Sequence, residues 1–195
     1  MLSVMNHSIV VLTVIGFTWT PLDAQPMSPT DFLKKRDESL QQLASASNTA
    51  DGKASVRQAI VESFDFMEHS RISLGKHWKK RSNAEQEDFT NVMREWTENR
   101  AIKKLLKPSE QTVYGSEDLI GSTKALVKTT VRYKGTKTYV EYKMKRSGGK
   151  WRIYDMIVDG ASVALANRDA FYKKINKTSY EELVAILKQK SLETD

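Results

Sequence analysis

The chain has 195 residues, a formal net charge of +7 and no cysteine. This length suits one domain with a sizeable core, and the lack of cysteine excludes disulfide crosslinks and a lipidated cysteine. The excess of basic residues favours an anionic partner, such as lipid headgroups, an acidic protein surface or, for a cytoplasmic chain, nucleic acid.

The first residues are typical of a signal peptide. The run from Ile9 to Phe17 is apolar but too short to span a bilayer, and Ala24 is a suitable cleavage position. The n-region departs from the usual pattern because it carries only the terminal amine and His7 as positive groups. We expect residues 1–24 to be removed after export and residues 25–195 to fold as a single domain.

Helical patterns come first in the remaining chain. Ser28-Pro29 predicts a helix start, and the apolar stripe from Phe32 to Leu43 is interrupted by charge, which favours a surface position. The small polar residues from Ser45 to Lys53 predict a loop, and Val56 to Phe64 predict a second helix. Ser82-Asn-Ala-Glu85 has the spacing of a capping box and predicts the start of the longest helix.

The hydrophobic period then changes to that of strands, with glycine turns between them. The predicted strands are Gln111 to Tyr114, Lys124 to Tyr133, Lys137 to Arg146 and Lys150 to Asp159. Two more helices follow, Ala161 to Ile175 and Thr178 to Lys190, the second with a capping box at its start. This order predicts an α+β fold: N-terminal helices, a four-stranded antiparallel curled sheet and C-terminal helices. Such a sheet can close tightly over its helices or leave an apolar cavity between sheet and helices, and the pattern alone does not distinguish the two.

The last predicted strand is apolar on both of its faces. Alternation places Trp151 and Ile153 on one face and Tyr154, Met156 and Val158 on the other. A strand of this kind must be covered on both sides, so we expect it to lie inside the domain. Whatever the domain encloses, this strand should contact it.

Residues suited to catalysis or metal binding are few. His69 and His77 are eight positions apart, and we interpret both as polar residues on helix surfaces. Asp155 and Tyr154 are the candidate acid–base pair, but a satisfied structural position for Asp155 is the simpler interpretation. The chain has no glycine-rich phosphate loop and no nucleophile elbow. We therefore predict a protein that is not an enzyme and that uses no cofactor or metal.

A set of short motifs in a fixed order resembles the MlaC family, also called the toluene-tolerance family, of periplasmic phospholipid-binding proteins. The resemblance runs from about Pro29 to Lys190. Its motifs are Phe64-Asp-Phe66, Leu74-Gly75 with Trp78, Glu85-Gln86 with Phe89, Val140 to Tyr142, Trp151-Arg-Ile-Tyr-Asp155, Gly160-Ala-Ser162, Asn167-Arg168 with Phe171, and Leu183 with Leu187.

The resemblance implies a soluble periplasmic carrier that shuttles phospholipid between the outer and inner membranes and so supports outer-membrane lipid asymmetry. The implied partners are an inner-membrane ABC transporter with a lipid-binding ring subunit and an outer-membrane lipoprotein complex, and nucleic acid is not among them. The acyl chains would lie between sheet and helices. The side chains expected to line that space are Phe64, Phe66, Ile72, Leu74, Val131, Val140, Tyr142, Met144, Tyr154, Met156, Val158 and Val163.

Three other functions remain open at this point. The same fold could carry a different lipid, such as a hopanoid. It could also be an enzyme that uses Asp155 and Tyr154 in a cone-shaped pocket. If residues 1–24 are not a signal peptide, the basic clusters and tyrosines would suit a cytoplasmic nucleic-acid binder.

Overall fold

A computed structural model describes residues 27–44, 49–105, 112–133 and 135–192, so the predicted signal peptide lies outside the described residues. The predicted α+β class is confirmed. The helices are α1 Pro29–Ala44, α2 Ala50–Ser63, α3 Phe66–Leu74, a 3₁₀ segment Gly75–Lys80, α4 Asn83–Leu105, α5 Val163–Lys177 and α6 Tyr180–Leu192. The strands are β1 Thr112–Ile120, β2 Lys124–Tyr133, β3 Thr136–Ser147, β4 Lys150–Val158 and β5 Ala161–Ser162.

The strands form one antiparallel sheet in the order β1-β2-β3-β4-β5. This sheet has five strands rather than the four that we predicted, because Ala161 and Ser162 turn back to pair with β4. Strand β1 also runs beyond its predicted end at Tyr114 as far as Ile120. A register shift between Tyr114 and Glu117 interrupts the alternation of β1. Because the alternation is broken there, the sequence pattern did not predict the second half of the strand.

Two predicted helix starts are confirmed by their capping contacts. The Ser28 hydroxyl accepts a hydrogen bond from the Asp31 N–H at 3.0 Å. Ser82 and Glu85 form the reciprocal pair of a capping box: the Ser82 N–H donates to the Glu85 carboxylate at 2.7 Å, and the Glu85 N–H donates to the Ser82 hydroxyl at 3.3 Å.

Two other helix starts differ from the prediction. Helix α2 begins at Ala50, inside the predicted loop, because the Thr49 hydroxyl accepts a hydrogen bond from the Gly52 N–H at 3.0 Å. Helix α6 is capped by Ser179, whose hydroxyl accepts from the Glu182 N–H at 3.1 Å. Thr178, the predicted cap, instead donates its hydroxyl to a carbonyl of the last turn of α5.

Two groups of buried apolar side chains hold these elements together. The first, the sheet cluster, joins α1 and α2 to one face of the sheet, which we call the inner face. Its buried members are Leu33, Val56, Ile60, Phe64, Phe66, Ala125, Val127, Val140, Tyr142, Met144, Trp151 and Ile153. The second, the helical cluster, joins α3, the 3₁₀ segment, α4, α5 and α6. Its buried members are Leu74, Trp78, Phe89, Val92, Met93, Phe171, Leu183, Val184 and Leu187.

Helix α1 is part of the core and not a peripheral surface helix. Leu33 is fully buried in the sheet cluster, and Phe32, Leu40 and Leu43 pack against that cluster. The prediction of a surface position was wrong because the charges that interrupt the stripe occupy the opposite side of the helix or, for Arg36, form contacts within the fold.

Strand β4 is covered on both faces, as its two-sided apolar pattern predicted. It contacts α2, α3 and α5. Ile153 is buried in the sheet cluster on the inner face, and Asp155 of the opposite face accepts a hydrogen bond from the Ala164 N–H of α5. The predicted division of its faces is wrong, because Tyr154 is an extra residue where the register with β3 shifts. Beyond this bulge Met156 and Val158 pair with inner-face residues, so they share a face with Ile153. Asp155 lies on the opposite, outer face.

Candidate functional site

The interface between α1–α2 and the inner face of the sheet is apolar throughout its centre. Leu33, Val56, Val127 and Met144 are all fully buried there. Large apolar side chains therefore meet at the place where the sequence predicted a cavity. The contacts across the interface are between hydrocarbon groups, which are not directional and can be exchanged for other hydrocarbon contacts.

The structure brings most of the predicted lipid-contacting residues to this interface. Those in or against the sheet cluster are Phe64, Phe66, Val131, Val140, Tyr142, Met144 and Met156. Leu74 is elsewhere, in the helical cluster. Those that are half-buried and in neither cluster are Ile72, Tyr154, Val158 and Val163.

Sequence reasoning missed several members of the same interface. Leu33, Val56 and Ile60 come from α1 and α2, and Trp151 and Ile153 come from the strand face that we had separated from Met156. The helical spacing of the first three was visible in the sequence. Their position over the sheet was not, because it depends on how α1 and α2 pack.

A cavity of about 170 Å³ lies between α1 and α2 above this interface. Its lining residues are Phe32, Lys35, Arg36, Ser39, Ala59, Glu62 and Ser63. Phe32 packs against the sheet cluster, and Ser63 is buried, so the cavity reaches from solvent toward the apolar interior. Its lining combines the apolar Phe32 and Ala59 with two cationic side chains and one carboxylate, Glu62. This excess of positive charge beside apolar groups suits an amphiphile with an anionic group.

Arg36 is the centre of a polar group at the base of this cavity. Its Nη2 and Nε atoms donate to the Asp37 carboxylate at 2.5 and 2.8 Å, and its guanidinium lies 4.9 Å from the centre of the Tyr142 ring. The Tyr114 hydroxyl donates to the other Asp37 oxygen at 2.6 Å. Burial opposes the charge on Arg36, but Tyr142 and Asp37 outweigh it and raise the pKa of the guanidinium. Arg36 is therefore a permanent, largely buried cation.

Asp155 holds the start of α5 against β4. One carboxylate oxygen accepts from the N–H groups of Met156 and Ala164 at 2.9 and 3.0 Å, and the other accepts from the Ser162 hydroxyl at 2.7 Å. Lys143 adds an ion pair at 3.7 Å. The carboxylate is thus engaged on all sides, which supports the structural interpretation of this residue.

His69 is buried, contrary to the prediction of a surface position. Its Nδ1 atom lies 3.0 Å from the carbonyl oxygen of Tyr154, the extra residue of the β4 bulge. Its Nε2 atom lies 3.4 Å from the Asn167 amide nitrogen, and its ring packs against Phe64. Burial lowers the pKa of His69, although Tyr154 and Asp155 oppose the shift. The imidazole therefore joins α3 to the backbone carbonyl of the bulge residue.

A larger cavity of about 520 Å³ lies between the start of α4 and α6. Its rim carries Glu85, Asp88 and Glu181, and Lys188 is ion-paired to Asp88 at 3.2 Å. Burial and the neighbouring Glu85 raise the pKa of Tyr180 in its wall to about 12. Its lining carries three carboxylates and one cation, whereas the smaller cavity carries one carboxylate and two cations. The smaller cavity is therefore the better site for an anionic headgroup.

Tyr154 and Asp155, the candidate acid–base pair, line neither of these two cavities. Within the described ranges, no three His, Asp or Glu side chains are grouped so as to hold a metal ion. In the same part of the chain, no helix is both long and apolar enough to cross a membrane.

Comparison with known proteins assigns the family. The family model described as "MlaC protein" matches residues 34–189. Among solved structures, the phospholipid-binding protein of Ralstonia solanacearum, determined in complex with a phospholipid, is similar with a TM-score of 0.68 and 19% sequence identity. The alignment covers 82% of this chain and 94% of that one, and it shows a shared fold. A search of curated sequences finds no significant match. The chain belongs to the MlaC family.

Proposed function

We propose that this protein is a phospholipid carrier that holds acyl chains between α1–α2 and the inner face of the sheet. The observation that carries the proposal is the apolar sheet cluster beneath a cavity with two cationic side chains, Lys35 and Arg36. Family membership supports it, as does the bound phospholipid of the Ralstonia solanacearum relative.

The contacts between α1 and the sheet are suited to opening. Acyl chains cost about 0.8 kcal/mol per exposed CH₂ group in water, so a carrier must enclose most of both chains. At its start α1 is joined to the sheet by two hydrogen bonds: the Trp151 indole N–H donates to the Met27 carbonyl, and the Thr30 N–H donates to Glu117. In its middle the Tyr114 hydroxyl donates to Asp37. The apolar contacts around these hydrogen bonds can be replaced by contacts with acyl chains while the hydrogen bonds remain.

The test of this proposal is whether the full chain, expressed with its signal peptide and purified from a bacterial periplasm, carries a lipid. We expect native mass spectrometry to show an adduct with the mass of a glycerophospholipid, and organic extraction to recover lipid phosphate. A protein without any adduct would contradict the proposal. An extracted lipid without phosphate would point instead to a different cargo such as a hopanoid.

We propose that Arg36, which lines the cavity and is held by Asp37 and the Tyr142 ring, contacts the phosphate of the headgroup. Replacing it with glutamine should weaken the binding of phosphatidylglycerol about tenfold or more, because a hydrogen bond to a charged group contributes about 1.5–3 kcal/mol. Diacylglycerol with the same acyl chains should bind the variant and the original protein alike. Displacement of a fluorescent fatty acid measures both affinities.

The control for this substitution is Arg168→Gln, which changes a partly exposed arginine of α5 whose ion pair, like that of Arg36, is with the next residue, Asp169. It should leave both affinities unchanged. If Arg36→Gln weakened the binding of both lipids equally, Arg36 would support the fold of the cavity and would not bind the headgroup.

The proposed place of action is the periplasm, between the outer and inner membranes, where the carrier would support outer-membrane lipid asymmetry. Support comes from the family and from the signal-peptide pattern of residues 1–24. The proposed partners are an inner-membrane ABC transporter with a lipid-binding ring subunit and an outer-membrane lipoprotein complex. Binding and release without covalent chemistry are sufficient for this role.

A further inference from the structure

One end of the sheet combines exposed apolar and basic side chains. The β1–β2 and β3–β4 turns lie side by side at this end, because β1 to β4 form an antiparallel meander. We define the hairpin-end patch by the side chains that the two turns and their flanking residues present. Its members are Leu119, Ile120, Lys124, Arg146, Lys150 and Arg152.

Three cations stand in one row across the outer face at this end. Lys124 of β2 pairs in register with Lys145 of β3, which in turn pairs with Arg152 of β4. Like charges directly opposite each other on neighbouring strands destabilise a sheet. The charge of Lys145 is balanced by the Asp65 carboxylate, which lies 2.8 Å from its ammonium group. Lys124 and Arg152 are exposed and form no ion pair with the described residues.

Two large aliphatic side chains are exposed next to this row. Leu119 is 63% exposed and Ile120 is 59% exposed. Ile120 pairs in register with Lys124, so it lies on the outer face of β1, next to the row of cations. Leu119 pairs with Ala125, which belongs to the sheet cluster, so Leu119 projects from the inner side. The last two residues of β1, next to the turn formed by residues 121–123, are therefore apolar on both faces of the sheet.

We infer that the hairpin-end patch docks the protein on the surface of an anionic lipid bilayer. Leu119 and Ile120 enter the interfacial region, and the surrounding cations contact anionic headgroups. Each basic residue near such a surface contributes about a fivefold gain in partition, equivalent to about 1 kcal/mol. This inference is independent of lipid binding in the interior of the fold.

The geometry favours a bilayer over an acidic protein as the occupant. Neighbouring residues of a strand point to opposite faces, so a flat protein surface placed on the outer face would cover Ile120 and leave Leu119 in water. A bilayer interface surrounds a protruding tip and covers both side chains. The flanking long basic side chains can place their stems along the apolar region and their charges among the headgroups.

The experiment is a flotation assay of the exported protein, purified from a bacterial periplasm after loss of residues 1–24, with vesicles of phosphatidylcholine, either alone or mixed with phosphatidylglycerol. We expect binding to the anionic vesicles that weakens as salt is raised. The double substitution Lys124→Gln/Arg152→Gln should reduce partition about 30-fold, from about 1 kcal/mol per cation. The double substitution Leu119→Ser/Ile120→Ser should reduce partition on the same vesicles and lower the residual binding that survives high salt.

Matched controls come from the opposite end of the same sheet. Arg132→Gln/Lys137→Gln removes two exposed cations that pair in register, and Val113→Ser removes an exposed aliphatic residue of β1. Both should leave vesicle binding nearly unchanged. Equal losses in the controls, or no binding of the original protein to anionic vesicles, would overturn the inference. Failure on vesicles together with binding to an acidic protein would assign the patch to that class of partner instead.

Discussion

Met144→Ala is expected to lower the free energy of unfolding of the lipid-free protein by about 2–5 kcal/mol, the range for deleting a buried methionine side chain. Met144 is fully buried at the centre of the inner face, where it pairs in register with Ala125 and Ile153. If acyl chains occupy this interface, a bound chain fills the space that the substitution creates. The loss should then be clearly smaller in the lipid-loaded protein.

Met93→Ala is the matched control for this experiment. Met93 is also fully buried, but it lies in the helical cluster. Met93→Ala should lower the free energy of unfolding by the same amount with and without lipid, because the proposed acyl-chain site does not include that cluster. Urea unfolding of delipidated and reloaded protein gives all four values. A recovery by lipid in Met93→Ala, or none in Met144→Ala, would show that the acyl chains lie elsewhere in the fold.

Asp155→Ala should also have a large effect, a destabilisation of about 3–5 kcal/mol. The Asp155 side chain is only 2% exposed, and its loss leaves the N–H groups of Met156 and Ala164 and the Ser162 hydroxyl without their acceptor. Each unsatisfied buried group costs about 1–3 kcal/mol. Asp155→Asn keeps one acceptor oxygen and should be intermediate.

The comparison for Asp155 is Asp118→Ala, which removes a carboxylate that is 55% exposed and paired with Lys128. Exposed pairs contribute little, so the change should be within about 0.5 kcal/mol. Thermal and urea unfolding measure both variants. A small effect of Asp155→Ala would contradict the structural role and favour an acid–base role for this residue.

Several of the motifs that carry the family resemblance stabilise the packing of the helices. Gly75 adopts a positive φ of 52°, and a Cβ atom there would collide with the Tyr172 hydroxyl. Asn167 approaches buried His69, and Phe171 packs edge-on against Phe89 in the helical cluster. These helical motifs identify the fold without locating the apolar interface. Other motifs of the resemblance do lie in that interface, since Phe64, Phe66, Val140, Tyr142 and Trp151 belong to the sheet cluster.

The sheet cluster was predicted only in part, for a geometric reason. Regular alternation on β3 placed Val140, Tyr142 and Met144 on one face correctly. On β4 the bulge at Tyr154 reversed the alternation, so the strand was divided wrongly. A bulge forms where two strands must match each other, and one strand read alone does not show it.

The order of helices and strands, the caps at Ser28 and Ser82 and the family of the chain were determined by the sequence alone, because each depends on residues close together along it. Only the tertiary structure decided that α1 covers the sheet, that His69 is buried and that Lys124, Lys145 and Arg152 share a row. Those features depend on strand register and helix packing between distant segments. Local pattern carries no information about such contacts, and the candidate cavity and the hairpin-end patch both arise from them.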